Sequence, residues 1–244
     1  MQIASIGVSV IIPLYNGIEY LPQAVASVVN QTHEKWELII GVNGHPPDSD
    51  VEKKAKKIRE LFENDAHKIK VKYYHTKGAP LTLNAMAKDA QYNYVAILDA
   101  DDYWDARKLE LQLYATVKNY DVIGTSCRYI GIKMYTNGEL QNFIPSIPLY
   151  EVCKPDFDIF KANPMICSSI LIKKELLEFE DHFVYDYNLW FKLFLEKKSF
   201  FNVPEPVVYH RVHNKSAFNN SNANYVDDMK KKWREIYDKT KQST

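Results

Sequence analysis

Hydrophobic and polar positions alternate between two periods along the first part of the chain. Val8-Ser9-Val10-Ile11-Ile12 is a short, largely β-branched run stopped by Pro13, which suits a strand buried on both faces. From Ile18 to Gln31 the apolar residues Leu21, Val25, Val28 and Val29 fall on one helical face. Trp36 to Val42 predicts a second strand, ended by Asn43-Gly44 and Pro46-Pro47. Asp50 to Asn64 predicts a charged surface helix with Ala55, Ile58, Leu61 and Phe62 turned inward. A strand over Ile69 to Tyr74, a short helix over Leu81 to Ala90 and an apolar strand over Tyr94 to Leu98 follow. This repetition predicts an α/β fold: a Rossmann-like, mostly parallel sheet with helices on both faces. Such sheets bind ligands at the carboxyl ends of their strands.

The second half is less regular. Asp105 to Asn119 reads as a helix, Asp121 to Tyr135 contains strand-like runs, and Asn137-Gly138 is a hairpin turn signal. Pro145 to Pro164 reads as an irregular connection and Ile166 to Ile172 as a strand. Tyr187 to Lys197 carries Leu189, Trp190, Leu193 and Phe194 on one helical face. Phe200 to Val212 is extended, with Pro204 and Pro206 confining it to an edge or loop. Asp227 to Thr240 closes as a polar helix. No repeat or linker interrupts the chain, so one domain spanning 1–244 is expected: a half over about 7–110, a second over about 111–216, and a terminal helix over 217–244.

With 46% hydrophobic and 25% charged residues and zero formal net charge, a folded protein is expected, and nothing suggests nucleic acid as a partner. The lysine clusters Lys53 to Lys57 and Lys230 to Lys232 lie in helical segments and read as solvated faces. Cys127, Cys153 and Cys167 show neither disulfide nor zinc spacing. No apolar run reaches the length of a membrane span, and the first residues lack the pattern of a signal peptide. A soluble, cytoplasmic protein is expected, with peripheral membrane association left open.

The chemistry concentrates after the fourth strand. Asp99-Ala100-Asp101-Asp102 places three carboxylates in four residues at the end of a buried run. Carboxylates so close repel unless a cation or solvent compensates them. The natural partner is a hard divalent cation, Mg²⁺ or Mn²⁺, which keeps coordination positions for phosphate oxygens. A solvated turn leading into a helix is the plainer alternative.

Together with this cluster, Val8 to Asn16, Leu21 to Thr32, Trp36 to Ile40 and Tyr94 to Trp104 make the sequence resemble family 2 of the inverting glycosyltransferases, which have the GT-A fold. The resemblance implies a nucleotide-sugar donor. It implies that Asp101 holds the metal, that Asp99 meets the ribose or the metal shell, that Asp102 faces the donor sugar, and that Ala100, between Asp99 and Asp101, also contacts the nucleotide sugar. Pro13, Leu14, Tyr15 and Asn16 would line the nucleotide pocket. The family's paired aspartates before a glycine are Val42-Asn43 here, so Asn43 would accept a uracil imide hydrogen without charge. Its alternative is a left-handed turn residue. The family's arginine before the asparagine of the third-strand loop is Leu83 here, but the asparagine is retained as Asn84, which would contact the nucleotide sugar, and Lys77 is a candidate for the missing positive charge near the diphosphate.

An inverting transfer needs a carboxylate to take the acceptor's proton. In the family it is the aspartate of a Glu-Asp pair before an apolar helix with tryptophan. Asp186 fits that frame, with Tyr185 in place of the glutamate, and a helix N-terminus would keep it ionised. Simple helix capping is the alternative, and Glu180-Asp181 is a rival pair. Tyr209 to Ser216 matches a family segment with an Arg-x-His stretch. Arg211 would hold the diphosphate, and His213 would bind metal or phosphate. Asn163-Pro164 and Ser168-Ser169 lie where the family shapes the sugar and acceptor pockets. The function expected is transfer from a UDP-hexose or UDP-N-acetylhexosamine to an acceptor hydroxyl. Sugar-nucleotide hydrolysis or a non-catalytic binding role is the alternative.

Overall fold

The computed structural model describes residues 3–131, 135–136, 139–140, 158–213 and 223–242 of the 244-residue chain. Strands β1 (Val8–Leu14), β2 (Trp36–Asn43), β3 (Ile69–Tyr74) and β4 (Tyr94–Ile97) alternate with helices α1 (Leu21–Val29), α2 (Asp50–Glu60) and α3 (Ala79–Asp89). The two-residue strand β5 (Tyr103–Trp104) follows the acidic cluster and had no signal in the sequence pattern. Then come α4 (Lys108–Thr116), β6 (Val122–Gly131), the short β7 (Tyr135–Thr136) and β8 (Glu139–Leu140), β9 (Leu171–Lys173), α5 (Tyr185–Leu195), β10 (Phe200–Val212) and α6 (Ala223–Gln242).

Eight strands form one sheet in the order β3-β2-β1-β4-β9-β6-β10-β5. The first four are parallel, β9 is antiparallel to both its neighbours, β10 is parallel to β6, and β5 is an antiparallel edge. The sheet is thus mixed rather than parallel towards β5. Alternation along the central strands divides the core. Val8, Val10, Ile12, Leu38, Ile40 and Val42 pack with α1, α2 and α4, whereas Ile11 and Ile39 pack with α3, α5 and α6. Near-continuous apolar runs are the consequence of burial on both faces.

Two expectations change. Leu61 lies beyond the end of α2 and is 71% exposed, so it does not join that helix's inner face. The segment Ile166 to Ile172 is not one strand. A 3-10 turn at Cys167–Ser169 precedes the short β9. Phe200–Val212 is extended as expected: β5 flanks it only at Val208 and Tyr209, so among the described residues the stretch with Pro204 and Pro206 pairs with β6 alone, with register shifts around Pro206. Asn137-Gly138 lies outside the described residues, but Tyr135 pairs with Leu140 and Thr136 with Glu139 on either side of it.

Candidate active site

The connections from β1 run outward through β2 and β3, and β4 returns to the other side of β1. The crevice outside the carboxyl ends of β1 and β4 is therefore the topological switch point, where ligands bind in such sheets. Gln31, buried between α1 and α4, steadies the loop beyond β4: its amide donates to Asp105 O (2.8 Å) and accepts from Leu109 N (2.9 Å).

At the end of β1, Leu14 is wholly buried in the core, Pro13 is half-buried, and Tyr15 and Asn16 are exposed. A side chain on Leu14 can therefore line no pocket; the residue offers only its backbone. The Tyr15 ring lies 5.3 Å from that of His45 and over Gly44. A Cβ at Gly44 would come within 2.7 Å of the Tyr15 ring, and its φ of +71° favours glycine. Asn43 is the last residue of β2, so the left-handed residue is Gly44 rather than Asn43. Asn43 is 2% exposed, and its Oδ1 has no hydrogen-bond partner. A buried orphan acceptor is costly and calls for a donor. Lys77 is exposed on the loop after β3.

The acidic cluster is divided by its contacts. Asp99 is half-buried, and the Ser168 hydroxyl accepts from its N–H (3.0 Å) and donates to its Oδ2 (3.1 Å). Burial, then the charges of Asp102 and Asp101, push its carboxyl up to about 7. Ala100 is buried. Asp101 is raised by burial and by Asp102, and His213 Nε2 lies 2.9 Å from its Oδ2. Asp102 is 1% exposed, and β10 occupies both of its oxygens: His210 Nδ1 at 2.9 Å and the Arg211 N–H at 2.7 Å. Here the structure departs from the donor-sugar role implied for Asp102, because this carboxylate ties the tip of β10 to the cluster. Burial opposes charge on His210, but the Asp102 carboxylate outweighs it and lifts the imidazole to about 9.

Arg211 lies over the same loop. Its Nε donates to Asp101 O (2.9 Å), its Nη2 donates to Gln23 Oε1 (2.7 Å), and the guanidinium lies 4.7 Å from the Tyr20 ring centre. Tyr103 stacks on Tyr209 at 4.5 Å, holding β5 to β10. Arg211 and His213 thus meet the same aspartate, as alternation along an extended segment predicts.

Asp186 lies in the first turn of α5, which starts at Tyr185, two residues earlier than predicted. Val184 is the N-cap, so Asp186 is not the capping residue. Its Oδ1 accepts from Tyr187 N (2.7 Å) and its Oδ2 from Asn163 Nδ2 (3.1 Å). Burial nevertheless raises its pKa, contrary to the expectation that the helix N-terminus would keep it low. Glu180 and Asp181 are both exposed, and Glu180 accepts from Asn188 Nδ2 (3.1 Å).

Asn84 also departs from its implied role in nucleotide binding. Its amide donates to Phe179 O and accepts from Phe179 N, both at 2.8 Å, which joins α3 to the segment before α5. Leu83 is wholly buried in the core, so its position carries no charge into the site.

A model of glycosyl transferase family 2 matches residues 9–179. The chain belongs to this family. Its fold is the family's GT-A fold: it superposes on 89% of the chain with a TM-score of 0.68 onto S. aureus TarS 1-349, solved with UDP-GlcNAc, at 17% identity and over 62% of that protein's length. The mannosyltransferase PcManGT of Pyrobaculum calidifontis, solved with GDP-Man and Mn²⁺, gives a TM-score of 0.63 at 17% identity, over 88% of this chain and 60% of that one. The putative teichuronic acid biosynthesis glycosyltransferase TuaG of Bacillus subtilis is 39% identical over 107 residues, which is 43% of this chain and 40% of the relative. The chain thus spans less than two thirds of these proteins' lengths.

Family membership makes the fit of a divalent cation worth testing on this chain's own residues. Among the described residues, no group of three or more His, Cys, Asp and Glu side chains converges as a metal cage. Asp101 Oδ2 and His213 Nε2 are 2.9 Å apart, close to the roughly 3 Å separating neighbouring octahedral ligands about 2.1 Å from Mg²⁺. The crowded, protonation-prone carboxylates Asp99 and Asp101 supply the negative field that such a cation would relieve. The residues present therefore fit a cation that takes its other ligands from phosphate and water.

Sequence reasoning missed His210, Cys167, Gln23 and Tyr20. Cys167 accepts a hydrogen bond from Tyr185, and burial, followed by the charges of Asp99 and Asp186, raises its thiol pKa well above the ordinary value. Only the fold brings these together; an Asp-rich motif gives no sign of which strand will tie it down. Among the described residues no helix is long and apolar enough to cross a membrane.

Proposed function

We propose that this protein transfers a sugar, with inversion, from a UDP-hexose or UDP-N-acetylhexosamine to an acceptor hydroxyl, with Mg²⁺ or Mn²⁺ bound at Asp101 and His213. The observation that carries the reading is that Arg211 and His213, at the end of β10, return to Asp101 in the loop after β4, at the switch point of the sheet. The orphan Oδ1 of Asn43 supports uracil, whose imide N–H would satisfy it. Tyr15 lies beside Asn43 as an exposed aromatic face for the base, with Pro13 and Asn16 flanking it. Arg211 and Lys77 supply positive charge for the diphosphate, and Asp99 meets the ribose or the metal shell. On this reading residues 7–110 bind the nucleotide and 111–216 bind the acceptor, in a cytoplasmic enzyme.

A bound cation would neutralise charge on the departing diphosphate. Asp186, ionised, takes the proton of the acceptor hydroxyl as its oxygen bonds to the anomeric carbon. The bond from that carbon to the diphosphate oxygen breaks, and the electron pair leaves on UDP. Burial raises the basicity of Asp186, which favours proton uptake as long as the group is ionised at working pH. Asn163 and the Tyr187 N–H hold the carboxylate in place.

Thermal-shift measurements with UDP-, GDP- and dTDP-sugars, with and without Mn²⁺, test the reading. A bound nucleotide raises Tm, and UDP-sugars with Mn²⁺ are expected to raise it most. Absence of any shift would defeat it. UDP release that requires an acceptor separates transfer from hydrolysis.

A further inference from the structure

Behind the acidic cluster, one turn is held at three successive carbonyl oxygens. Trp104 Nε1 donates to Ser168 O at 2.9 Å, Gln112 Nε2 to Ser169 O at 2.9 Å, and Lys108 Nζ to Ile170 O at 3.4 Å. All three donors come from the stretch that follows Asp102, and all three are buried. The same turn presents side chains to the site. Ser168 Oγ engages both the N–H and the carboxylate of Asp99.

The support is costly. Lys108 is wholly buried, and among the described residues no carboxylate pairs with it. Its ammonium faces the Trp104 ring at 3.7 Å and makes one long hydrogen bond. Burial drives its pKa well below the ordinary lysine value. Gln112 spends its amide N–H groups on Ser169 O and Ile123 O (2.5 Å) and leaves Oε1 without a partner. Apolar side chains of similar length would fill these positions without either desolvation cost.

We propose that Lys108, with Trp104 and Gln112, is a positioning residue, holding the 168–170 turn so that Ser168 fixes Asp99. The proposal rests on the nucleotide-sugar reading of the site only for its consequence, not for its geometry. It places a buried lysine in the service of the acidic loop rather than of the core.

The test compares wild type, Lys108→Met, Ser168→Ala and the double variant as full chains. Lys108→Met should keep or raise Tm, since it removes a buried cation. Amide exchange at Asp99, read without ligand, should speed up about 10-fold or more in Lys108→Met, because Ser168 no longer holds that N–H. With Mn²⁺ present, calorimetry should show UDP binding about 5-fold weaker in Lys108→Met and in Ser168→Ala. The double variant should be no weaker than Ser168→Ala alone. A lowered Tm in Lys108→Met, unchanged Asp99 exchange, or losses that add in full would each overturn the proposal. Wild type that bound no UDP would sink the nucleotide reading instead, and the exchange measurement would still decide the role of Lys108.

Discussion

The two halves of the sheet hold their functional groups by different physics. From β1 to β4 the strands are buried on both faces and carry the site at their carboxyl ends, where Tyr15, the buried Asn43 and Asp101 rest on an apolar support. From β5 to β10 the support itself is polar. Asp102, His210, Ser168, Gln112 and Lys108 are buried or half-buried and hold one another or the backbone. The first arrangement resists change through packing, which is non-directional. The second fixes distances through hydrogen bonds, which fail as a set when one partner is removed. The comparison teaches that single contacts on the first half should set donor binding directly, whereas the second half should act on binding and turnover through the geometry it holds.

The largest effect should come from the second half. Asp186→Asn keeps size and most hydrogen bonds but removes the proton acceptor. Turnover in a transfer assay should fall by about 10²-fold or more while UDP affinity survives. Asp181→Asn, on an exposed residue, is the matched control and should stay active. Since the folded pKa of Asp186 is raised, wild-type kcat should be lost as pH falls through a value above the ordinary 3.8. That acid limb should be absent from Asp186→Asn. An active Asp186→Asn enzyme beside an inactive Asp181→Asn enzyme would move the base to the other pair.

Next in size is Asp101→Ala. Calorimetry should show UDP affinity in Mn²⁺ falling about 10-fold, to the metal-free level, with a charge-assisted contact of about 1.5 kcal/mol removed. Equal wild-type affinity with and without Mn²⁺ would reject the cation at this position. Asn43→Ala should cost UDP about 5-fold, near 1 kcal/mol, and leave inorganic pyrophosphate binding unchanged. Equal weakening of both ligands would make Asn43 a structural residue only.

The same division explains what could be read in the sequence. The parallel half was legible because burial on both faces leaves a signature of period and composition, and its strands and helices fall close to the predicted ones. The acidic cluster was visible as residues, but not the division of labour within it. Asp99, Asp101 and Asp102 look alike in sequence, and only the return of β10 over 100 residues later ties Asp102 to His210 and Arg211. Pro204 and Pro206 read correctly as an edge, because β5 flanks β10 only at Val208 and Tyr209, and the register shifts around Pro206 had no signal in the sequence. Tyr103-Trp104 was too short to show any period. Lys108 and Gln112 look like the polar face of a surface helix until the fold buries them.

The smallest effect on donor binding should come from Asn84, the residue that joins the two halves. The resemblance to the family implies that Asn84 contacts the nucleotide sugar, whereas its amide is occupied in both directions by the Phe179 backbone. These readings part on one substitution. Asn84→Ala strips Phe179 N–H and C=O of their partner, and partly buried backbone groups left so cost about 1–3 kcal/mol. Chemical denaturation should therefore show lower stability, while UDP affinity in Mn²⁺ changes by less than about 2-fold. Asn84→Asp sharpens the point: it can still accept from Phe179 N–H but cannot donate to Phe179 O. Its stability should fall between those of wild type and Asn84→Ala, in the order of hydrogen bonds retained. If Asn84 instead holds the donor, UDP affinity should drop in both variants with little loss of stability. A negative charge next to the diphosphate would then make Asn84→Asp the weaker binder of the two. The order of the two variants, in stability on one reading and in affinity on the other, decides whether Asn84 is a brace between the halves or part of the nucleotide pocket.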